Sequence, residues 1–158
     1  MTKGGTPMAQ VDKQQLLLVD LSNRLPYGVK VAIEYSKGKY TRIYDLREID
    51  NDVTSELRQQ VTVWNYGFYS SVISYPLIDC RSYLRSMSSM TAEEKEELRQ
   101  EQIKDEQLFA DCIKNHPEMR GLIIPHFAAD WCDKNMFDYR GLIPAGLAIE
   151  APEGMYNN

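Results

Sequence analysis

Histidine and cysteine are scarce in this sequence, with two and three residues among 158. Cys80, Cys112 and Cys132 are odd in number, far apart and without a CxxC pair. That excludes a disulfide framework and a zinc ribbon, and it fits thiols kept reduced in a cytosol. A surplus of positive charge is also missing. Eighteen Lys and Arg against 23 Asp and Glu leave a net charge of −5. This argues against non-specific nucleic-acid binding, which relies on a surplus of cations facing phosphates. No apolar run reaches membrane-spanning length, and the opening MTKGGTPMAQ lacks the apolar core of a signal peptide. A soluble cytoplasmic protein with no membrane partner is expected. P-loop, Rossmann glycine fingerprint, GxSxG elbow and HExxH motif are all absent, which removes the main motif-bearing enzyme classes. No cofactor is implied.

What is present is an ordinary globular composition, 43% hydrophobic and 26% charged, with Tyr used generously at ten residues. The length suits one core, or two small lobes sharing an interface. After a flexible lead-in over residues 1–10, the dense apolar group Leu16, Leu17, Leu18, Val19 and Leu21 predicts a short helix over Val11–Leu21, ended by Pro26 and Gly28. The period then changes. Val29, Val31, Ile33 and Tyr35 alternate with polar or small residues, the two-residue repeat of a strand with one buried face. Ser36-Lys37-Gly38-Lys39 supplies a hairpin turn, and YTRIYDLREI a return strand whose alternation slips near Ile43, as at a bulge. Asn51-Asp52 marks another turn, and VTVWNYGFYSSVISYPL further strands whose aromatics are expected to build a sheet core. LIDCRSYLR reads as a short helical or 3₁₀ exit from the last strand.

Thr91-Ala92-Glu93-Glu94 is a capping box, so a helix is expected to start there. Seven acidic and three basic residues between Thr91 and Leu108 put most of the negative charge on it. That makes it a solvated helix or an acidic docking surface, and only Leu108, Phe109, Cys112 and Ile113 offer a packing face. Asn115-His116-Pro117 ends it. GLIIPHF inserts a short apolar segment before a final helix from Pro125, with Phe127, Trp131 and Met136 inward and Asp130 and Asp133 facing elsewhere. DYRGLIPAGLAIEAPEG reads as a packed sequence of turns. The expected fold is α+β: a small SH3-like curled antiparallel sheet or partial barrel within residues 11–90, then a C-terminal helical segment within 91–158, together one compact unit.

The C-terminal stretch concentrates the candidate ligand contacts. Trp131, Phe137, Tyr139 and Tyr156 are suited to stacking on a planar base, and Arg140, or Arg24 beside Tyr27, to forking to phosphate or carboxylate. Gly141, Gly146 and Gly154 would let backbone N–H groups approach an anion. The competing reading is structural: the aromatics plug the gap between sheet and helices, and Arg140 pairs with Asp133, Asp138 or Glu150. His116, His126 and Asp130 form the weaker alternative of a metal site, short of the ligands a divalent metal normally takes unless they converge. LSNRLPYGVKV, YLRSMSSMTAEEKEEL and FDYRGLIPAGLAIEAPEGMYN together resemble small, uncharacterised proteins encoded by phages and prophages of Bacteroides-type gut bacteria, the terminal block being the most specific. The resemblance covers most of the chain and implies a phage accessory protein acting inside a bacterial cell. Three functions are open at this stage. One is a non-enzymatic binder, possible as a homo-oligomer, that antagonises host defence by sequestering a nucleotide signal or blocking a host protein. The others are a metal-dependent hydrolase of nucleotides or nucleic acid and a protein-interaction module.

Overall fold

The computed structural model describes residues 10–50, 59–66, 70–119 and 128–156. The turn at 51–52, the apolar segment 121–127 with His126, the helix start at Pro125 and nearly all of the lead-in lie outside them. Helix α1 (Gln10–Arg24) outruns the expected Leu21 end by almost a turn. Leu17, Leu21 and Arg24 are fully buried on one face, the spacing of an inward helical stripe. A 3₁₀ turn, Leu25–Tyr27, ends it, with Gly28 in the left-handed region at φ 78°.

Strand β1 (Lys30–Ser36) is central. It pairs antiparallel with the two-residue β2 (Lys39–Tyr40), with β3 (Tyr44–Asp50) and with β6 (Cys80–Leu84). The β1–β2 turn takes Gly38 at φ 74°, a conformation that explains glycine there. Strands β4 (Gln60–Tyr66) and β5 (Ser70–Pro76) extend the sheet beyond β3. At the other side β7 (Ala148–Glu150) runs parallel to β6, giving the order β5-β4-β3-β1-β6-β7. The protein is therefore a mixed α/β fold on a multi-stranded sheet. The exit segment keeps its expected 3₁₀ form over Leu77–Asp79 only; Cys80–Leu84 departs from it, as a strand whose alternate residues Cys80, Ser82 and Leu84 are buried. The tail is likewise more than turns, because Ala148–Glu150 completes the sheet.

One face of the sheet carries the core. Val29, Val31 and Ile33 meet Tyr44, Leu46, Val61, Val63, Cys80 and Leu84, under Leu17 and Leu21 of α1 and Leu142 and Leu147 of the tail. The aromatics divide rather than all joining this core. Tyr44 is buried, but Tyr35 at the strand end is 67% exposed and Trp64 38%, with the Arg47 guanidinium 5.0 Å above the Trp64 ring. On the outer face the Thr62 and Ser74 hydroxyls bond across the β4–β5 ladder at 2.9 Å.

Helix α2 (Ala92–Asn115) starts at the expected capping box: Glu94 N–H donates to Thr91 Oγ1 at 3.1 Å and Thr91 N–H to Glu94 Oε2 at 2.9 Å. Leu108, expected on its packing face, is 62% exposed, and Ile113 is buried. The inward row runs through Leu98, Asp105, Phe109 and Ile113, and Leu108 is turned about 100° from its neighbour Phe109. Glu94 Oε2 also accepts from Arg85 Nη2 at 2.8 Å, which ties the helix start to the end of β6. Partial burial pushes the Glu94 carboxyl up, but the Thr91 N–H and the Arg85 guanidinium outweigh it and hold it below its ordinary 4.5. A carboxylate lowered in this way contributes stability that is present above 4.5 and lost as pH falls through its folded value. Glu94→Gln is expected to flatten the acid limb of the stability curve, read from urea denaturation between about pH 3 and 7. Superimposable limbs in the two proteins would refute it.

Candidate functional site

Two aspartates and two arginines meet where α1 faces α3 (Ala129–Lys134). Arg24 Nε donates to both Asp20 oxygens at 3.0 Å, one helical turn away. Its Nη2 donates to the Phe137 carbonyl at 2.7 Å and its Nη1 to the Cys132 carbonyl at 3.4 Å, at the C-terminal end of α3 where a cation is favoured. Arg140 Nη1 joins Asp20 Oδ1 at 2.6 Å and Asp133 Oδ1 at 2.8 Å, and its Nη2 reaches Asp133 Oδ2 at 3.2 Å. Tyr139 Oη donates to the same Asp133 Oδ2 at 3.2 Å. Burial pushes the Asp20 carboxyl up and the two guanidiniums pull it back, leaving it above its ordinary value. Burial likewise raises the Tyr139 hydroxyl well above the usual range.

This network accounts for two candidates for ligand contact. Arg24 is 0% exposed and all three of its nitrogens are on protein acceptors, while Arg140 is largely covered and divided between two carboxylates. Asp133, expected to face away from the core, is 2% exposed, because the two arginines and Tyr139 supply the partners that a buried carboxylate needs. Asp138 is not an Arg140 partner here: its oxygens accept from Leu142 N–H at 2.8 Å and Ile143 N–H at 2.9 Å, capping the turn around Gly141.

The aromatics next to this network face protein groups. Trp131 and Phe137 stack with centroids 5.6 Å apart and planes 8° off parallel, and the Arg85 guanidinium lies 4.1 Å over the Phe137 ring. Tyr139 lies under Arg140 at 4.4 Å. With Met90, Cys132 and Leu98 they form a second, smaller core. Met136, expected on a helical stripe, instead follows the helix in the left-handed region at φ 61° and is buried at 1%. Phe137 N–H bonds to the Cys132 carbonyl at 2.9 Å and Met136 N–H to the Asp133 carbonyl at 3.3 Å, which is the Schellman pattern of a helix end.

Tyr27 and Tyr156 are placed differently from the rest. Ala151 N–H bonds to the Leu84 carbonyl at 2.7 Å, and the chain then arches through a turn closed by Met155 N–H to Pro152 O at 3.1 Å. It lands on the far side of β6, where the Tyr156 hydroxyl accepts from Lys30 N–H at 2.9 Å and donates to the Tyr83 carbonyl at 2.7 Å. The arch leaves two cavities of about 420 and 350 Å³ that share Arg85, Met155 and Tyr156 as a common wall. They lie on the two sides of that wall. The smaller side is basic, with Lys30, Arg85 and Lys134 against Glu94, and has the half-exposed Tyr27 ring and Gly28 on its wall. The larger carries Glu150 and Glu153 with the Ser89 and Thr91 side chains. Gly154 lines the larger side, whereas Gly141 and Gly146 serve turns away from it.

Tyr156→Phe would strip one hydroxyl and leave a backbone donor and acceptor unpaired in a part-buried place. The expected loss is about 1–3 kcal/mol, with faster amide exchange at Lys30, measured by urea denaturation and hydrogen exchange. An unchanged midpoint would mean that water replaces the hydroxyl.

Among the described residues, no group of three His, Cys, Asp or Glu is placed to hold a metal. His116 is exposed beside Glu118 at 3.5 Å, Asp130 is exposed on α3, and His126 lies outside the described residues. Burial pushes the Cys132 thiol up and the Cys80 thiol up to about 12, the opposite of an activated nucleophile. Of the residues that line the basic cavity, the sequence singled out Tyr27 and Tyr156 as candidates and not Lys30, Arg85 or Lys134. Lys30 was within reach of it, three residues beyond Tyr27 in LPYGVK. Arg85 and Lys134 have no sequence signal that separates them from other surface cations. Compared with protein-family models, with curated proteins and with solved structures, the chain matches none.

Proposed function

We propose that this chain is a non-enzymatic binding protein that holds a small nucleotide in the smaller, basic cavity beside its C-terminal tail. In a phage setting it acts in the cytoplasm of the bacterial host and antagonises defence by sequestering that nucleotide signal. The observation that carries the binding role is the basic lining of that cavity. Lys134 has no ion-pair partner among the described residues and shares a cavity of about 350 Å³ with Lys30, Arg85 and the exposed Tyr27 ring. An anion and a planar ring are the two things such a lining accepts, and the volume lies in the range of small-molecule sites. The phage setting rests on the three sequence blocks alone. The SH3-like, curled character of the sheet belongs to the same reading and is supported by register shifts between Glu34 and Ser36 and between Leu46 and Glu48.

Calorimetric titration with mono-, di- and cyclic nucleotides tests it. Binding is expected in the wild-type protein and is expected to fall about tenfold or more in Lys134→Ala and Tyr27→Ala, both surface changes that leave the thermal midpoint in place. If none of the nucleotides binds, the sequestration reading fails. A second reading, blockade of a host protein, is favoured by α2, whose 24 residues bury only Ile113 and leave Ile103 and Leu108 exposed amid acidic side chains. Pull-down that is lost on alanine replacement of Glu93, Glu97 and Glu101 and weakens with salt would move the function there.

A further inference from the structure

The two ends of the sheet are finished differently. At one end β7 is three residues long, carries Glu150 and is followed by Pro152, so it offers little edge for another chain to pair with. At the other end β5 runs for seven residues, SSVISYP, with no charged side chain, and holds its register with β4 from Tyr66–Ser70 to Gln60–Pro76 without a bulge. Leu77 N–H donates to the Gln59 carbonyl at 2.8 Å, which sets the phase of that ladder. Ser71, Ile73 and Tyr75 turn their backbone groups to β4, and Ser70, Val72 and Ser74 turn theirs outward, with Pro76 placed where no inward N–H is needed. Among the described residues nothing pairs with that outer edge, and Ser71, Val72 and Ser74 are exposed, Val72 at 40%. Apart from the terminal Pro76, the strand has none of the usual guards against edge pairing.

We infer that the outer edge of β5 pairs antiparallel with β5 of a second copy of this chain, joining two sheets into one across a two-fold axis at Val72. In that register Val72 lies opposite Val72 and Ser74 opposite Ser70, so every outward N–H of these residues meets an outward C=O in the same phase. A foreign strand would find the same backbone groups, and what favours a second copy is the match of the strand to itself. The chain as a whole carries −5 and would repel its copy, but its acidic surplus sits on α2, and β5 brings no like charges face to face. The exposed Val72 side chains meet each other on the outer face and lose water there. One strand pair buries less than the about 1,200–2,000 Å² of a standard stable interface, so the dimer is expected to be weak and to depend on concentration.

The test is sedimentation equilibrium of the full chain from about 1 μM to about 1 mM, repeated in Val72→Lys and Val72→Pro, with amide exchange at Ser74 followed at both ends of the range. Val72→Lys sets like charges opposite each other at the axis, and Val72→Pro removes an outward N–H that the monomer's own ladder does not use. Val72 is exposed on an edge strand, so both variants are expected to keep the wild-type thermal midpoint at low concentration. The expected result is a reversible wild-type dimer, a Ser74 amide that exchanges more slowly as concentration rises, and a dissociation constant raised about tenfold or more in each variant. A wild-type chain that stays monomeric throughout would overturn the inference and leave the edge to an extended segment of another protein. A dimer of undiminished affinity in both variants, or one whose formation leaves the Ser74 amide unprotected, would overturn it by placing the contact elsewhere.

Discussion

Replacing Asp133 with alanine is expected to destabilise the protein by about 3–5 kcal/mol, a large part of the 5–15 kcal/mol that holds a domain folded. The carboxylate is 2% exposed and receives Arg140 through both terminal nitrogens and the Tyr139 hydroxyl, with Arg24 Nη2 at 3.7 Å. Its loss leaves two guanidiniums facing Asp20 alone, so one positive charge is buried without compensation. The effect is therefore one of stranding rather than of a missing bond. The same network would be far cheaper to delete as a whole than to break at one member. Urea denaturation of Asp133→Ala, Arg140→Met and the double variant makes the distinction: the double variant is expected to be no worse than Asp133→Ala alone. Strict additivity of the two single losses would show that the residues do not act as a unit.

Phe137→Ala is expected to cost a comparable amount, about 3–5 kcal/mol, because a fully buried aromatic leaves a cavity that its surroundings fill only in part. Phe137 is 0% exposed, lies against Trp131 and carries the Arg85 guanidinium on its ring. The backbone at this residue also closes the end of α3 and receives Arg24, while its neighbours Met136 and Asp138 exchange hydrogen bonds with Arg85 at 2.7 and 2.8 Å. Loosening the ring thus loosens the joint between β6, α2 and α3. A denaturation midpoint lowered with the urea dependence unchanged is the expected result, and Phe137→Leu should recover most of the loss. A loss under about 1 kcal/mol would place Phe137 at the surface of the joint rather than its centre.

How much of this was legible in the chain depends on the distance over which the signal acts. The apolar spacing from Leu17 to Leu21 needed only the helical period, and Val29, Val31 and Ile33 only the two-residue repeat of a strand. Thr91 and Glu94 announced the start of α2 because a capping box is made within four residues. Ser36–Lys39 carried a hairpin for the same reason. The misreadings occur where a residue's neighbours are remote. Cys80–Leu84 resembled a helical exit until β1 on one side and β7 on the other supplied its hydrogen bonds. Asp133 was legible as a possible partner of Arg140, seven residues away, but not as a buried one, because Asp20 and Arg24 of the remote α1 complete the network around it. Leu108 counted as a packing residue because its apolar character was visible while the direction of its face was not.

The candidate site shows the same division. Tyr27 and Tyr156 were visible as aromatics beside Gly and Pro, yet what makes them wall residues is a tail that bonds back to Tyr83, 73 positions earlier, and to Lys30, 126 earlier. Arg140 and Arg24 had the right chemistry for an anion and were claimed instead by Asp20 and Asp133, across separations of up to 120 residues. Local order follows from backbone sterics, capping and periodic hydrophobicity, all of which act over a few residues and can be read along the chain: α1, the β1–β2 hairpin and the start of α2 were settled at that level. Which charges are buried in pairs, which strand closes the sheet and which cations are left facing a cavity depend on loop closure between distant segments, and only the assembled fold decides which partner each side chain meets.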